Sequence, residues 1–199
     1  MSLNFNEKHI APEGYTPVTP WIITSSTEKM INFLKSVFEA EEVPNSRIVN
    51  EKGVIIHSVV NIGNAKVMLF DSREGWGNTS TFLNVYVKDV EKVYQAALKL
   101  GAVSVTEITP LWFGEKVCRI IDPFGNIFWI NERIEEVDFT NPEEVSKRAT
   151  TTDAINGISY IQKTLDEAFL MHKNYTLKYT QGPEPLAAIV RRHSEREIK

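Results

Sequence analysis

Apolar residues in the first part of the chain follow strand spacing, then helical spacing, then strand spacing again. They predict a strand at 18–23 and an amphipathic helix at 27–38, whose N-cap comes from the preceding Ser-Ser-Thr run. Two β-branched runs at 54–61 and 65–70 flank a Gly-Asn pair and predict a hairpin. A segment at 42–49 is a further strand candidate, which its proline confines to a sheet edge. The predicted element order is βαβββ.

The same order repeats after a polar break at 71–80. The elements predicted in this second copy are a strand at 81–87, a helix at 90–100, and three strands at 103–106, 116–121 and 127–131. Residues 109–114 are predicted to form a loop between two of these strands. Because a single module would leave one face of its sheet uncovered, the repetition predicts that two modules pair into a half-open barrel around a cavity.

The last part of the chain has a different pattern. Asn141 and Pro142 indicate the start of a short helix, and a longer amphipathic helix is predicted at about 152–173. A strand-like segment at 175–179 and, after a Gly-Pro-Glu-Pro turn, a last helix follow. The apolar stripe of the long helix must bury against the barrel, a second subunit or the mouth of a ligand site, and we favour a second subunit.

One stretch of the second copy, Arg119–Glu132 (RIIDPFGNIFWINE), has a proline, a glycine and an asparagine between two apolar runs and predicts a hairpin. Its DPFGN turn resembles the last hairpin of the vicinal oxygen chelate superfamily, which includes glyoxalases, extradiol dioxygenases and bleomycin- and fosfomycin-resistance proteins. With Phe113-Gly114-Glu115-Lys116 and Arg119, it is similar to the PhnB-like branch of that superfamily.

The resemblance implies an α+β fold, in which two βαβββ modules form the half-open barrel of the glyoxalase/bleomycin-resistance proteins. We therefore divide the chain into an N-terminal arm at 1–15, a first module at 16–72, a second module at 80–137 and a helical C-terminal extension at 138–199. The extension lies outside the resemblance. Because members of the superfamily commonly dimerise, the resemblance also implies a homodimer.

The resemblance also implies where a divalent metal would be held. Metal-dependent members use His, Gln or Glu side chains from the first and last strands of each module, since such cations require oxygen or imidazole ligands. These positions fall near Thr19 and Met68 in the first module and on Phe82 and Trp129 in the second. None of these is a plausible ligand. We therefore predict no metal and no other cofactor, with a divalent metal in an atypical site as the runner-up.

Aromatic side chains stand where the metal ligands would be, which suits a flat or apolar ligand. The predicted ligand-binding residues are Trp21, Met68, Phe82, Asn84, Tyr86, Trp112, Phe113, Arg119 and Trp129. His57 and Glu115 are the candidate catalytic residues, because an imidazole or a carboxylate can transfer a proton. Packing in the core remains the alternative for the aromatic residues, as does a structural role for His57 and Glu115.

Three functions follow as alternatives. The first is a metal-independent protein that binds a small aromatic or amphipathic molecule in the barrel cavity. The second is a metal-dependent lyase, isomerase or dioxygenase-type enzyme of the same superfamily, using His57 and Glu115 in an atypical site. The third is an interaction module that acts through its C-terminal helices.

Composition and charge limit the partners and the cell compartment expected for this protein. The formal net charge of −4 and a pI near 5.7 argue against a nucleic-acid partner, and no apolar run is long enough to span a membrane. The N-terminal residues lack the apolar core of a signal peptide. Cys118 is the single cysteine, so no internal disulfide is possible, which suits the cytoplasm. We expect Cys118 to be a small buried apolar residue.

Overall fold

The computed structural model describes residues 10–76 and 79–178, and the chain divides into two compact units, Met1–Thr79 and Ser80–Lys199. Each unit contains one βαβββ module, and the second unit also contains helices of the C-terminal extension. The predicted α+β class is therefore confirmed. Among the described residues, no helix is both long and apolar enough to cross a membrane.

The first unit is built on a sheet with one parallel strand pair. Its elements are β1 (Trp21–Thr24), α1 (Thr27–Phe38), β2 (Glu41–Glu42), β3 (Ile48–Val49), β4 (Ile55–Ile62) and β5 (Ala65–Asp71). The strand order is β1-β5-β4-β2, β3 also pairs with β4, and only β1 and β5 run parallel. The strand predicted at 42–49 is two short strands, because the chain turns at Asn45, which has a positive φ of 59°.

The helix predicted at 27–38 has those bounds in the structure, but its cap differs from the prediction. Ser26 occupies the N-cap position without a side-chain hydrogen bond. Instead, Asp71 at the end of β5 accepts hydrogen bonds from the backbone N–H of Thr27 at 2.6 Å and of Ile55 at 2.8 Å. A carboxylate at this end of a helix also interacts favourably with the helix dipole. The last strand of the module therefore anchors its helix.

The second unit repeats the arrangement with longer strands. Its elements are β6 (Phe82–Tyr86), α2 (Val90–Lys99), β7 (Val103–Leu111), β8 (Glu115–Ile121), β9 (Ile127–Arg133), α3 (Pro142–Ala149) and α4 (Thr152–Lys178). The strand order is β6-β9-β8-β7, with β6 and β9 parallel. Glu132 in β9 accepts a hydrogen bond from the backbone N–H of Val90 at 2.9 Å, so the last strand again anchors the helix of its module.

Two predicted segments of the second unit are wrong. Residues 109–111, predicted as part of a loop, are the end of β7, and Leu111 pairs with Glu115. The pairing of β7 with β8 is irregular on both sides of Thr106, which breaks the alternation that sequence reading depends on. The strand-like segment at 175–179 is helical as far as Lys178, and the predicted last helix lies outside the described residues.

The turn predicted from DPFGN is present and joins three parts of the chain. Asp122 accepts hydrogen bonds from the N–H groups of Phe124 at 2.9 Å and Asn126 at 2.8 Å, and from the Asn126 side chain at 2.8 Å. Asn126 in turn accepts one from the N–H of Thr81, next to β6. Gly125 has a φ of +92°. Asp122 is therefore a turn former, as the sequence indicated.

Candidate functional site

Each sheet has one face packed against the helix of its own module and an opposite face, which we call the site face. In β6 the residues alternate as predicted: Val85 is buried on the side of α2, whereas Phe82, Asn84 and Tyr86 are exposed on the site face. The site face of each unit holds the side chains that the sequence singled out.

On the first unit, the site face carries a small aromatic cluster. Trp21 pairs with Met68 across β1 and β5, and its indole ring lies 5.7 Å from the imidazole of His57 and 5.3 Å from the ring of Phe70. The Trp21 side chain keeps 42% of its surface exposed. The predicted residues Trp21, Met68 and His57 are therefore together, on a partly exposed surface.

His57 is half-buried, and one of its two ring nitrogens forms a hydrogen bond with the backbone. Its Nδ1 lies 2.9 Å from the carbonyl oxygen of Ser46, so in the neutral ring Nδ1 carries the proton and donates it to that carbonyl. Nε2 is then the basic nitrogen, which is the atom a general base or a metal ligand would use. The hydrogen bond also fits the structural role that was the alternative for this residue.

On the second unit, helix α4 covers the part of the site face that β7, β8 and β9 form. Ile161 of α4 is buried against Leu111 and Val117, and Trp129 packs beside them. The Thr164 and Thr106 hydroxyls lie 2.8 Å apart, and the Tyr160 hydroxyl accepts a hydrogen bond from the backbone N–H of Glu107. Part of the predicted apolar stripe thus packs on a sheet of its own chain, whereas Ile155 and Phe169 remain exposed. Burial of the stripe against a second subunit, which the sequence favours, stays a prediction.

Arg119 lies completely under this helix, with 1% of its surface exposed. Its guanidinium stacks on the ring of Trp129 at 3.8 Å and donates from Nη1 to the carbonyl oxygen of Ile161 at 2.5 Å and to the Thr106 hydroxyl at 3.3 Å. Burial lowers the pKa of Arg119 to about 10. The predicted residues Arg119 and Trp129 thus meet, and α4 separates Arg119 from solvent while Trp129 stays half-buried.

Two further predicted residues lie at the edge of this covered region. The ring of Phe82 is nearly parallel to that of Trp129, with ring centres 6.5 Å apart, and also contacts Phe169 of α4. Asn84 accepts a hydrogen bond from the side chain of Asn131. These contacts fix the rings and amides that face the end of α4.

Three other predicted residues of this unit line a cavity of about 350 Å³, whereas the predicted Trp112 does not line it. It is lined by Tyr86, Phe113, Glu115, Arg133, Val137 and Phe139. The Tyr86 hydroxyl donates a hydrogen bond to Glu115 at 3.2 Å, and partial burial together with the Glu115 charge raises the pKa of Tyr86. The tyrosine is therefore a neutral donor at physiological pH.

Gly114 shapes this cavity. It has a φ of +84°, and a Cβ at this position would lie 2.5 Å from the carbonyl oxygen of Glu135. The carbonyl of Gly114 accepts hydrogen bonds from the N–H groups of Ile134 and Glu135, which bind the segment after β9 to the β7–β8 turn. Only glycine permits this close crossing, which carries Val137 over the turn.

Sequence reading missed Arg133, Val137 and Phe139. They lie in or just after the last strand, where the predicted second module meets the extension. Phe139 is held against Trp112, whose ring centre is 6.2 Å away, and Trp112 contacts Phe113. The apolar Val-x-Phe spacing after β9 was the one available signal, and it is weak without knowledge of the Gly114 crossing.

The residues at the family's metal positions do not fit a divalent ion. Phe82 and Trp129 stack on one another, and Met68 offers only a thioether. Thr19, the fourth, is half-buried and directs its hydroxyl to the carbonyl of Thr16. The expectation of a metal-free protein nevertheless stays a prediction, as does that of a homodimer.

One group of acids outside these positions has the proximity of metal ligands. Oxygen atoms of Asp89, Glu91 and Glu132 lie within 4.8 Å of one another. Each has another partner, because Asp89 and Glu132 accept backbone N–H groups at the start of α2 and Glu91 pairs with Lys116 at 2.9 Å. These acids are therefore accounted for by helix capping and an ion pair.

Several known proteins are similar to this chain in sequence or in structure. An uncharacterised protein of Mycobacterium bovis is 26% identical over 132 residues, which are 61% of this chain and 86% of that protein. The solved structure of TioX from a Micromonospora species is 19% identical, covers 59% of this chain and 98% of TioX, and has a TM-score of 0.50. A PhnB protein from Bacillus cereus is 19% identical over 59% of this chain and 99% of its own, with a TM-score of 0.45.

The sequence pattern of one family matches residues 8–130, which include both modules up to β9 and leave α3 and α4 outside the match. On this match and the two βαβββ modules, the chain belongs to the Glyoxalase/Bleomycin resistance protein/Dioxygenase superfamily.

Proposed function

We propose that this protein binds a small aromatic or amphipathic molecule in the cavity of its second unit, without a metal ion at the family's ligand positions. The observation that carries the proposal is the convergence of Tyr86, Phe113 and Glu115 around about 350 Å³ of space. That volume is within the range of small-molecule sites, which combine mostly apolar walls with a few polar groups.

The lining suggests how the ligand would be oriented. Phe113 and Phe139 offer ring faces to a flat body, and aromatic pairs prefer offset or edge-to-face contact. Glu115 can accept a hydrogen bond from an amine, amide or hydroxyl of the ligand, while the Tyr86 hydroxyl holds the carboxylate in place. Arg133 is already paired with Glu136, so it adds a polar rim rather than a free charge.

The enzymatic alternative has one observation in its favour, the basic Nε2 of His57 beside Trp21. It lacks a set of oxygen or imidazole ligands at the family positions. The alternative of an interaction module has less support, because the described part of α4 already packs on the sheet of its own unit.

The test is a ligand-observed NMR screen of flat aromatic amines and alcohols with the full chain. We expect Phe139→Ala and Glu115→Gln to weaken the binding of the best fragment at least tenfold, because the first removes a ring wall and the second removes the negative charge of the acceptor. Lys116→Gln is the matched control, since Lys116 is next in β8 but pairs with Glu91. Fragments that bind all three variants equally, or no binding at all, would reject the proposal.

The metal-free part of the proposal is tested separately. Elemental mass spectrometry of the purified protein, before and after dialysis against Mn²⁺, Ni²⁺ and Zn²⁺, should give no stoichiometric metal. About one tightly held ion per chain would refute this part and leave the cavity proposal to the fragment screen.

A further inference from the structure

Arg119 is a buried cation without an anion. It is the largest fully buried side chain of the described residues, and no carboxylate among them forms an ion pair with it. Burial is the sole cause of its lowered pKa, which agrees with the absence of a nearby charge. A buried charge is unfavourable unless it is paired and fully hydrogen-bonded, so this arrangement calls for an explanation.

The donors around Arg119 outnumber the acceptors. Nη1 has two neutral acceptors, the Ile161 carbonyl and the Thr106 hydroxyl. Nε of Arg119 and Nε1 of Trp129 are both buried and have no hydrogen-bond partner among the described residues. Two unpaired donors therefore lie beside a stacked guanidinium and indole, on the site face of the second unit.

The cover over these donors is a helix that buries few large side chains. In the part of α4 whose side chains are described, up to residue 170, the buried ones are Ala154, Ile161 and Ala168, only one of which is large. At Gly157 a Cβ would lie 3.2 Å from Leu111, so the missing side chain allows the helix to approach the sheet closely. Phe169, near the end of the part whose side chains are described, keeps 46% of its surface exposed.

We propose that Arg119, Trp129 and Thr106 form a second binding site, for a small aromatic carboxylate, and that α4 occupies this site when the ligand is absent. The inference goes beyond the cavity proposed above, which has other lining residues. The Ile161 carbonyl and Thr164 hydroxyl of α4 take the place of the ligand's carboxylate.

The chemistry favours a carboxylate over the present partners. A guanidinium presents parallel N–H donors that match the two oxygens of a carboxylate, and such charge-assisted hydrogen bonds are stronger than those to a neutral carbonyl. The unpaired Nε could then find an acceptor. The aromatic part of the ligand would lie along Trp129 and Phe82, whose rings are nearly parallel. Binding requires α4 to move away, so ligand and helix compete.

The first test compares benzoate with benzamide, which has the same shape without the charge, by calorimetry on the full chain. We expect benzoate to bind and benzamide to bind at least tenfold more weakly. Arg119→Met should abolish the binding of benzoate, whereas Thr164→Val, which loses the contact with Thr106, should strengthen it about fivefold by loosening α4. Lys116→Gln is the control for an unrelated change in the same strand.

The second test follows α4 itself. Lys163 is exposed in the middle of α4, and trypsin can cleave there only after the helix opens. Saturating benzoate should increase the rate of cleavage at Lys163 severalfold, and benzamide should not. Any of three results would overturn the proposal: equal binding of the two compounds, benzoate binding that survives Arg119→Met, or an unchanged cleavage rate. The comparison of benzoate with benzamide on the wild-type protein remains valid even where a variant does not fold.

Discussion

The two modules share one element order, yet their site faces differ. On the first unit, Trp21 is 42% exposed beside a half-buried His57, and the described residues leave this ring accessible. On the second unit, the corresponding face is packed beneath α4, and Arg119 is 1% exposed. The difference comes from residues after position 130, which lie outside the family match.

The comparison teaches that membership of this superfamily does not determine which side chains a ligand can reach. Arg119 and Trp129 lie on the site face, but the added helix packs over this part of the face. The cavity that remains accessible in the second unit is displaced toward Gly114 and Phe139, at the other end of β8. A sheet of the same topology can therefore present two different sites.

The largest effect should come from Gly114→Ala. The new Cβ would meet the Glu135 carbonyl at 2.5 Å, and the positive φ adds strain, so we expect the free energy of unfolding to fall by about 3–4 kcal/mol. Gly53→Ala in the first unit is the matched control, because Gly53 has a φ of +77° and nothing within 4 Å. There the loss should be about 1 kcal/mol. Equal losses in urea denaturation would show that the crossing at Gly114 is not tight.

Next in size is Ile161→Ala, which tests whether α4 belongs to the core of the second unit. Removing a buried isoleucine should lower the free energy of unfolding by about 2–4 kcal/mol. Ile155→Ala is the control on the same helix, since Ile155 is largely exposed and its loss should change the value by less than about 0.5 kcal/mol. Denaturation curves of the two variants that coincide would argue that α4 is not packed in solution.

A smaller effect is expected in the quenching of tryptophan fluorescence by acrylamide. Trp21 is partly exposed and Trp129 lies under α4, so Trp21→Phe should remove an accessible emission component and Trp129→Phe a protected one. The slope of the quenching plot should therefore fall in the first variant and rise in the second. Slopes that change in the same direction would contradict the difference between the two site faces.

The smallest effect concerns Cys118, where we expect almost no reaction in the folded protein. Burial raises the pKa of the Cys118 thiol to about 12, so the reactive thiolate is scarce at pH 8 and the sulfur is inaccessible. Labelling with a thiol reagent in increasing urea then reports the unfolding of the second unit alone. If labelling begins at a lower urea concentration than the unfolding of the first unit, the second unit is the less stable of the two. Rapid labelling in buffer without urea would contradict the burial of Cys118.

Sequence reading reached most of the fold, because periodicity and turn chemistry are local. The helix at 27–38, the Asn141 cap and the DPFGN turn were all fixed by near neighbours. It failed at the end of β7, because residues 109–111 are a strand only through their irregular pairing with β8. It also missed the capping role of Asp71, which depends on a helix start far earlier in the sequence.

The candidate site was less predictable than the fold, because it depends on contacts between residues far apart in the sequence. Tyr86, Phe113 and Glu115 were candidates from the sequence and the resemblance, but Phe139 reaches them only through the crossing at Gly114. Likewise nothing local indicates that Ile161 would lie over Arg119, since that contact joins two segments far apart in the chain. Contacts of this kind depend on tertiary packing, which no single-sequence pattern contains.

The two anchoring carboxylates have a consequence for how such a scaffold can change. Asp71 and Glu132 follow Met68 and Trp129 by three residues each, and each fastens the helix of its module to the last strand. The residue that anchors the helix and the residue at the ligand position are thus different residues of the same strand. A module built in this way can exchange one residue for another at the chemical position, from a metal-binding side chain to an aromatic one, without releasing its helix.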